Sequence, residues 1–554
     1  MKKRGGKPNS HTFTILLMGC RAAGRDENFT PVRMAEETYL SINEPNSGVE
    51  LDLIHTNAML TVCQWHGDLD TLWRIAGEMP EAGPLAPDMT TYTIVLAGVL
   101  HQCRADIKLL ESYEEIFDRK VQMLKEGRRV WSDIIHRWKN DKVPLDKRVV
   151  FAMARLLLEG PTDQCSQDVF MLYNQTMGIP IMAEKPKERM REFWIYKLMK
   201  KHPYLSELDV ARRRRFTAAS TDAIPLVDIN NRPLPEAKED TTSVEEENEE
   251  ENLNSVFDPI DVEAENLTLL KPDAKDLGVI VDACCRRTED STAGIDYWEL
   301  LTSQSGEYRV IPDNIAASMY LRVLRLNRSS KRCVALLRDQ MLPLGQAEGK
   351  AFHIALTTCR RDINNKWSLQ NANELMDLLQ KVPRLPDVRA VRSYLILCQA
   401  LAQKPECLLN LEGITENDDT SRPVTDQFNT RLQAKLRFMA YKTIRPHFLQ
   451  LHEAMIYGTR VRGRWATVHD KIEPILAKDL VPLMAWIRLF IDEALAAEYQ
   501  PFIPKADLED MKSDALMMRG YSDKSFLDEN LSKGNGWVYP SPAQRTAFVA
   551  LKLL

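Results

Sequence analysis

The chain has 554 residues, 44% of them hydrophobic and 27% charged, with a formal net charge of −6. That is enough chain for several domains or one extended array, of ordinary core-forming composition, and neither balance of charge dominates it. Ten cysteines without paired spacing argue against a secreted disulfide framework and for a reducing compartment. The longest apolar stretch, 480–499, contains Arg488, Asp492 and Glu493, so it reads as a packed helix and no membrane span is expected.

The first stretch, 1–7, is basic but has neither the apolar core of a signal peptide nor a long Arg/Ser-rich amphipathic run. Patterned sequence begins immediately after it, so a leader is expected to have been lost. In 7–25, Pro8 and Asn9 form a stop and a cap, and Phe13, Leu16, Leu17 and Cys20 then fall at i, i+3, i+4 and i+7, one face of a helix. A helix this short with one apolar stripe is unstable alone and must stack on neighbours.

Counting from the residue after each acidic or Asn stop, the same four positions (4, 7, 8 and 11) recur. After Asp52 they hold Thr56, Met59, Leu60 and Cys63; after Asp88, Tyr92, Val95, Leu96 and Val99; after Asp146, more weakly, Val150, Met153, Ala154 and Leu157. The pattern then lapses and returns. After Asp273 come Leu277, Ile280, Val281 and Cys284, and after Asp313 come Ala317, Tyr320, Leu321 and Leu324. After Glu348 come Phe352, Ala355, Leu356 and Cys359, and after Asp387 come Val391, Tyr394, Leu395 and Cys398.

Five cysteines share one repeat position, where small side chains let two helices approach closely. Spacings of 36, 40, 35 and 39 between stops match helix-turn-helix repeats of about 34 residues. The longer spacings of 43 (Asn9 to Asp52) and 58 (Asp88 to Asp146) are expected to reflect loop insertions. Leu69, Leu72, Trp73, Ala76 and Met79 form the stripe of a second helix, and Cys333, Leu336, Leu337 and Met341 form another. The expected fold is an all-α solenoid in two blocks, stacked into a superhelix with a long concave surface.

The blocks are 1–180 and 271–410. Between them, 181–216 reads as a basic helical segment and 217–270 as an acidic flexible linker, whose run 244–252 is too charged to bury. That run has the charge to compete with a polyanion for the basic cluster at 212–215. From 425 to 554 a helical C-terminal domain follows, with one helix from Gln427 ending before Pro446, one or two more around Pro474 and Pro482, and a last element after Pro542. Asp507, Asp510 and Asp514 share a helix face, but a solvated face outweighs a metal site there, and no CxxC, HExxH, GxxxxGK[ST] or GxSxG motif occurs. Neither an enzyme nor a cofactor is expected.

The strings PNSHTFTILLMGCRAAGR, PDMTTYTIVLAGVL and PDNIAASMYLRVL resemble the first helices of pentatricopeptide repeats, strongly for the first three units and more loosely afterwards, over about half the chain. The resemblance runs toward the fungal mitochondrial members that act in small-subunit rRNA processing or group I intron splicing. Tetratricopeptide repeats are the structural neighbours, but their Trp-x-x-Leu-Gly signal is absent. The resemblance implies a mitochondrial protein that binds single-stranded RNA, an rRNA or an mRNA, and no DNA, supporting RNA processing, splicing or stability. The alternative it implies is a scaffold or component of the mitochondrial small ribosomal subunit.

It also implies where bases are met. Helical repeats of this kind set two or three side chains per unit against one base. In this family they are position 5 of the first helix and the residue that closes the unit. Position 5 is Thr14, Asn57, Thr93, Phe151, Gly278, Ser318, His353 and Arg392, and the closing residues include Asp52 and Asp88. By resemblance Asn57 with Asp88 favours uracil and Thr14 with Asp52 guanine. Phe151, Gly278, His353 and Arg392 fit no family pairing, so no continuous one-unit-one-base code is expected. A carboxylate before a helix is also an ordinary start residue. Backbone phosphates are expected at Arg212 within 185–215, and at Arg460, Arg462 and Arg464 within the basic, aromatic-bearing stretch 431–471.

Overall fold

The computed structural model describes residues 8–24, 30–44, 47–140, 143–185, 255–260, 267–287, 292–412, 426–457, 459–461, 464–466 and 474–518. The basic segment from 186 to 216, the acidic run 244–252 and the closing element after Pro542 lie outside these residues. The chain divides into two compact units, Met1–Pro312 and Asp313–Leu554. Sequence composition places the division instead in 217–270. The fifth repeat packs with the first four because Tyr173 donates its hydroxyl to Asp276 (3.2 Å) and the Leu270 N–H bonds the Thr176 carbonyl (3.0 Å).

Unit one is built of α1 (Ser10–Ala22), α2 (Pro31–Ile42), α3 (Leu53–His66), α4 (Leu69–Gly77), α5 (Met89–Asp106), α6 (Tyr113–Asn140), α7 (Lys147–Leu158), α8 (Gln164–Met177), α9 (Ala274–Arg286) and α10 (Ala293–Thr302). Each of the eight expected stops in the chain is an N-cap. Asn9, Asp52, Asp88, Asp146, Asp273, Asp313 and Asp387 each accept a first-turn backbone N–H with the side chain, and Glu348 holds the place without such a bond. These bonds satisfy donors that a helix start leaves open.

The odd-numbered first helices stack in a row, α1 on α3, α3 on α5, α5 on α7 and α7 on α9. α2, α4, α6 and α8 each pack against the two first helices that flank them. Positions 4, 7, 8 and 11 of every repeat in both units are buried, with one exception: Leu16 is 51% exposed, since α1 is the first helix of the row and has a neighbour on one side only among the described residues. The cysteines at position 11 are all buried, and burial pushes the Cys63 thiol up to about 12. In α4, Ile75 takes the buried place expected of Trp73, which stays 37% exposed.

Two expectations about insertions and linkers are corrected. The extra length between Asp88 and Asp146 is mainly helix, because α6 runs 28 residues and buries Trp131, Ile134 and Trp138. Within the expected flexible stretch, Ser255–Phe257 forms a short 3-10 turn docked against α6 and α8. Phe257 is fully buried 6.3 Å from the Trp131 ring, and the Gln175 amide donates to the Val256 and Asp258 carbonyls.

Unit two contains α11 (Asn314–Leu326), α12 (Ser330–Leu336, continued by a π turn Leu337–Met341), α13 (Gly349–Arg361), α14 (Ser368–Gln380), α15 (Val388–Ala402), α16 (Asp426–Tyr457), α17 (Pro474–Ala494) and α18 (Lys505–Met517). α11, α13 and α15 repeat the row, and α16 packs on α14, α15 and α17. Helix α16 does not stop at Pro446 but runs through it. Proline removes one backbone bond and costs roughly 3 kcal/mol in a helix interior. Here the buried Ile444, Phe448 and Leu451 on either side offset that cost. After α16, β1 (Thr459–Val461) pairs antiparallel with β2 (Arg464–Ala466), a hairpin that the all-α expectation lacked.

Charge fixes α18 to α16. Arg445 donates to Asp514 and Asp510 (2.8 Å each), Tyr441 donates to Asp514 (2.6 Å) and Lys442 pairs with Asp507 (3.3 Å).

Burial raises the Asp88 carboxyl, but the Thr91 N–H and hydroxyl, the Asn57 amide and the Thr90 N–H outweigh it, so the group titrates below its ordinary range. Its stabilisation is therefore full above the ordinary carboxylate range and lost as pH falls through the depressed value. Asp88→Ala is expected to cost about 1–2 kcal/mol at neutral pH and to lose that deficit in acid, read by urea melts across pH. Asp514→Ala leaves the Tyr441 hydroxyl and one Arg445 nitrogen without their partner, and is expected to lower unfolding free energy by about 2–3 kcal/mol in the same melts.

Candidate nucleic-acid interface

Positions 2, 5, 9 and 12 of a first helix form a stripe along one flank of the buried 4-7-8-11 face, with 5 and 12 nearest to it. Thr14, Asn57, Thr93, Ser318 and His353 are all half-buried there, so the expected position-5 row exists within each unit. What these side chains do was not foreseen. The Thr14 and Thr93 hydroxyls donate to carbonyls of their own helices, Ser10 (3.2 Å) and Met89 (2.7 Å). Asn57 donates to the Asp88 carboxylate (3.2 Å) and accepts from the Thr91 hydroxyl (2.8 Å). His353 Nδ1 lies 3.1 Å from the Arg389 carbonyl and 3.0 Å from the Ser393 hydroxyl, and burial pushes its pKa down. At Asn57 and His353, position 5 thus clasps a unit to the start of the next helix in the row.

The carboxylates have the same double character. Asp52 caps α3 through the His55 N–H (2.9 Å), meets His55 Nδ1 at 2.8 Å and accepts from the Ser10 hydroxyl (3.4 Å). Asp88 caps α5 through Thr91 while holding Asn57. The pair expected to read uracil is in contact with itself. An amide has two N–H groups and two lone pairs, so Asn57 keeps one of each for a base edge.

Arg212 and Arg462 lie outside the described residues. Arg460 stands opposite Trp465, and Arg464 opposite Val461, across the β1–β2 hairpin. Of the basic stretch on α16, three cations are internally paired: Arg437 with Glu493, Lys442 with Asp507, and Arg445 with Asp510 and Asp514. The last two of these pairings occupy the acidic face weighed as a metal site. Among the described residues no group of three or more His, Cys, Asp or Glu side chains is placed to hold a metal ion.

Among the described residues a further cationic surface stands on unit two. In unit two, positions 2, 5, 9 and 12 are Ile315, Ser318, Arg322 and Arg325 on α11, Lys350, His353, Thr357 and Arg360 on α13, and Arg389, Arg392, Ile396 and Gln399 on α15. None of these twelve is buried, six are cationic and none is acidic. Arg389 pairs with the capping Asp387 at 2.9 Å. Arg322, Lys350, Arg360 and Arg392 have no ion pair or hydrogen bond among the described residues, so their charge is available to an outside anion. The signal was present in the sequence as single basic residues at separated helical positions, not as a run.

Unit one carries a groove of about 370 Å³ on the equivalent face, where α5, α7 and α9 meet. Thr93, Ala97 and Leu100 form one wall; Lys147, Arg148, Phe151, Ala152 and Arg155 the next; and Asp273, Lys275 and Asp276 the last. Burial pushes the Asp276 carboxyl up to about 6, against the hydrogen bond from the Asp273 N–H.

Comparison with known proteins gives little beyond this geometry. No family model matches the chain, and no curated protein matches it. Among solved structures it is similar to the pentatricopeptide repeat protein PPR10 from maize, at 11% identity over all of this chain and 76% of that one. The TM-score is 0.19, and a likeness that low carries no argument about function. The helical-repeat fold accordingly stands on the capped, stacked first helices themselves.

Proposed function

We propose that this protein is a non-enzymatic binder of single-stranded RNA that holds the strand along the exposed faces of its first helices. The observation that supports it most is the face of α11, α13 and α15, with six cations, no carboxylate and four cations unpaired among the described residues. A surface of that kind attracts a polyanion whatever its sequence, while polar groups such as Ser318 and Thr357 between the cations are suited to base edges. Rows of helices spaced in register suit an unpaired strand better than a rigid duplex. With the sequence resemblance added, the reading extends to a mitochondrial protein acting on an rRNA or an intron-containing transcript, in processing, splicing or stability.

A second reading, a scaffold of the mitochondrial small ribosomal subunit, is favoured by a different observation. Ile15, Met18, Ile54 and Trp65 on α1 and α3 are exposed apolar side chains of the sort that protein partners cover.

Replacing Arg322, Lys350 and Arg392 together by glutamate is expected to weaken binding of a labelled single-stranded RNA by at least tenfold at low salt. For every phosphate no longer neutralised, the slope of log affinity against log salt is expected to flatten by about 0.7. A wild-type protein that binds no RNA, or a triple variant with unchanged affinity and slope, sinks the proposal.

A further inference from the structure

We infer that the groove between α5, α7 and α9 is a nucleotide subsite, in which the base of one unpaired RNA nucleotide stacks on Phe151 while nearby cations hold the flanking phosphates. The inference rests on the RNA-binding reading and assigns Phe151 a role that no base-pairing code gives it.

The chemistry of the groove separates into a floor and a rim. Phe151 stands at position 5 of α7, half-buried, with Ala97 and Leu100 of α5 beside it, so the floor offers a ring and aliphatic surface in place of hydrogen-bonding groups. Every base has a π-face, so stacking on such a floor holds a nucleotide without selecting its identity. The volume is within the range of sites that enclose small ligands.

The rim is basic. Arg148, Arg155 and Lys275 line it, and the Arg155 guanidinium stands over the Phe151 ring, 5.9 Å from its centroid. A base that stacks on this ring displaces the long Arg155 side chain, which from the same helix then reaches the sugar-phosphate. The carboxylates on the rim, Asp273 and Asp276, and Asp146 next to it are already engaged. Asp273 accepts the Lys275 N–H (2.8 Å) and lies 3.9 Å from the Lys147 ammonium, Asp146 pairs with Arg148 (2.8 Å), and Asp276 is buried under the Tyr173 hydroxyl. With these compensated, the positive charge on Arg155 and Lys275 remains for the phosphates.

The test uses the full chain and fluorescence anisotropy with oligouridine, oligoadenosine and an oligonucleotide carrying abasic sites. Phe151→Ala is expected to weaken both base-bearing oligonucleotides by about tenfold while leaving the salt slope and thermal melting unchanged. Phe151→Trp is expected to restore the affinity, and the abasic strand to bind wild type and Phe151→Ala alike. Unchanged affinity in Phe151→Ala overturns the subsite, as does equal weakening in Phe151→Trp. If the α11–α15 glutamate variant still loses affinity in those cases, RNA binding stands and only the subsite falls. A wild-type protein that binds none of the three strands overturns both.

Discussion

The structure depends on one constraint: no first helix can bury its 4-7-8-11 face by itself. Leu60 and Cys63 on α3 are fully buried only because α1 and α5 flank that helix, and the same holds for Phe352 and Cys359 on α13 between α11 and α15. Each fully buried side chain of this size is worth about 1.5–3 kcal/mol, more than a typical single cap. Stacking therefore sets the register, and the register sets which side chains come out on the flank beside the buried face.

That flank is the surface on which the proposed function depends. Burial fixes positions 4, 7, 8 and 11, whereas positions 2, 5, 9 and 12 are less constrained: Leu100, Leu158 and Gly278 are still buried there, but others carry charge, hydrogen-bonding groups or rings. The two units use this freedom differently. In unit two they carry arginine and lysine; in unit one they are mainly neutral on α1, α3 and α5 and turn basic at α7, where Arg148 and Arg155 flank Phe151. A strand held by such faces meets charge in some places and stacking or hydrogen-bonding groups in others, which makes a repeated one-base code unnecessary for affinity.

Much of this was legible in the sequence because the signals are local. An acidic or Asn stop followed by the 4-7-8-11 stripe located all eight N-caps, and it anticipated burial of every stripe residue but Leu16. Less legible were features decided by tertiary contacts. Trp73 and Ile75 are both apolar, and only packing against α3 and α5 decides that Ile75 goes inside. Pro446 ends a helix by local rules and is overruled by burial on both sides of it. The docking of Phe257 is invisible beside an acidic run, since one aromatic residue in polar sequence carries no periodicity. At the candidate site the charge forms no contiguous run in the sequence: Arg322, Lys350, Arg360 and Arg392 gather on one face from three helices.

The position-5 residues illustrate the limit most sharply. Their place on the exposed face follows from the helical period, but the clasp of Asn57 on Asp88 and Thr91, and of His353 on Ser393, depends on how closely successive helices approach. Photocrosslinking of 4-thiouridine-substituted single-stranded RNA to the intact protein, with the joined peptides mapped, tests the account most directly. Crosslinks concentrated on α5, α7, α11, α13 and α15, at positions 2, 5, 9 and 12, are the predicted result. Crosslinks confined to the second helices α2, α4, α8 and α14, or none above those of an unrelated protein, would contradict it.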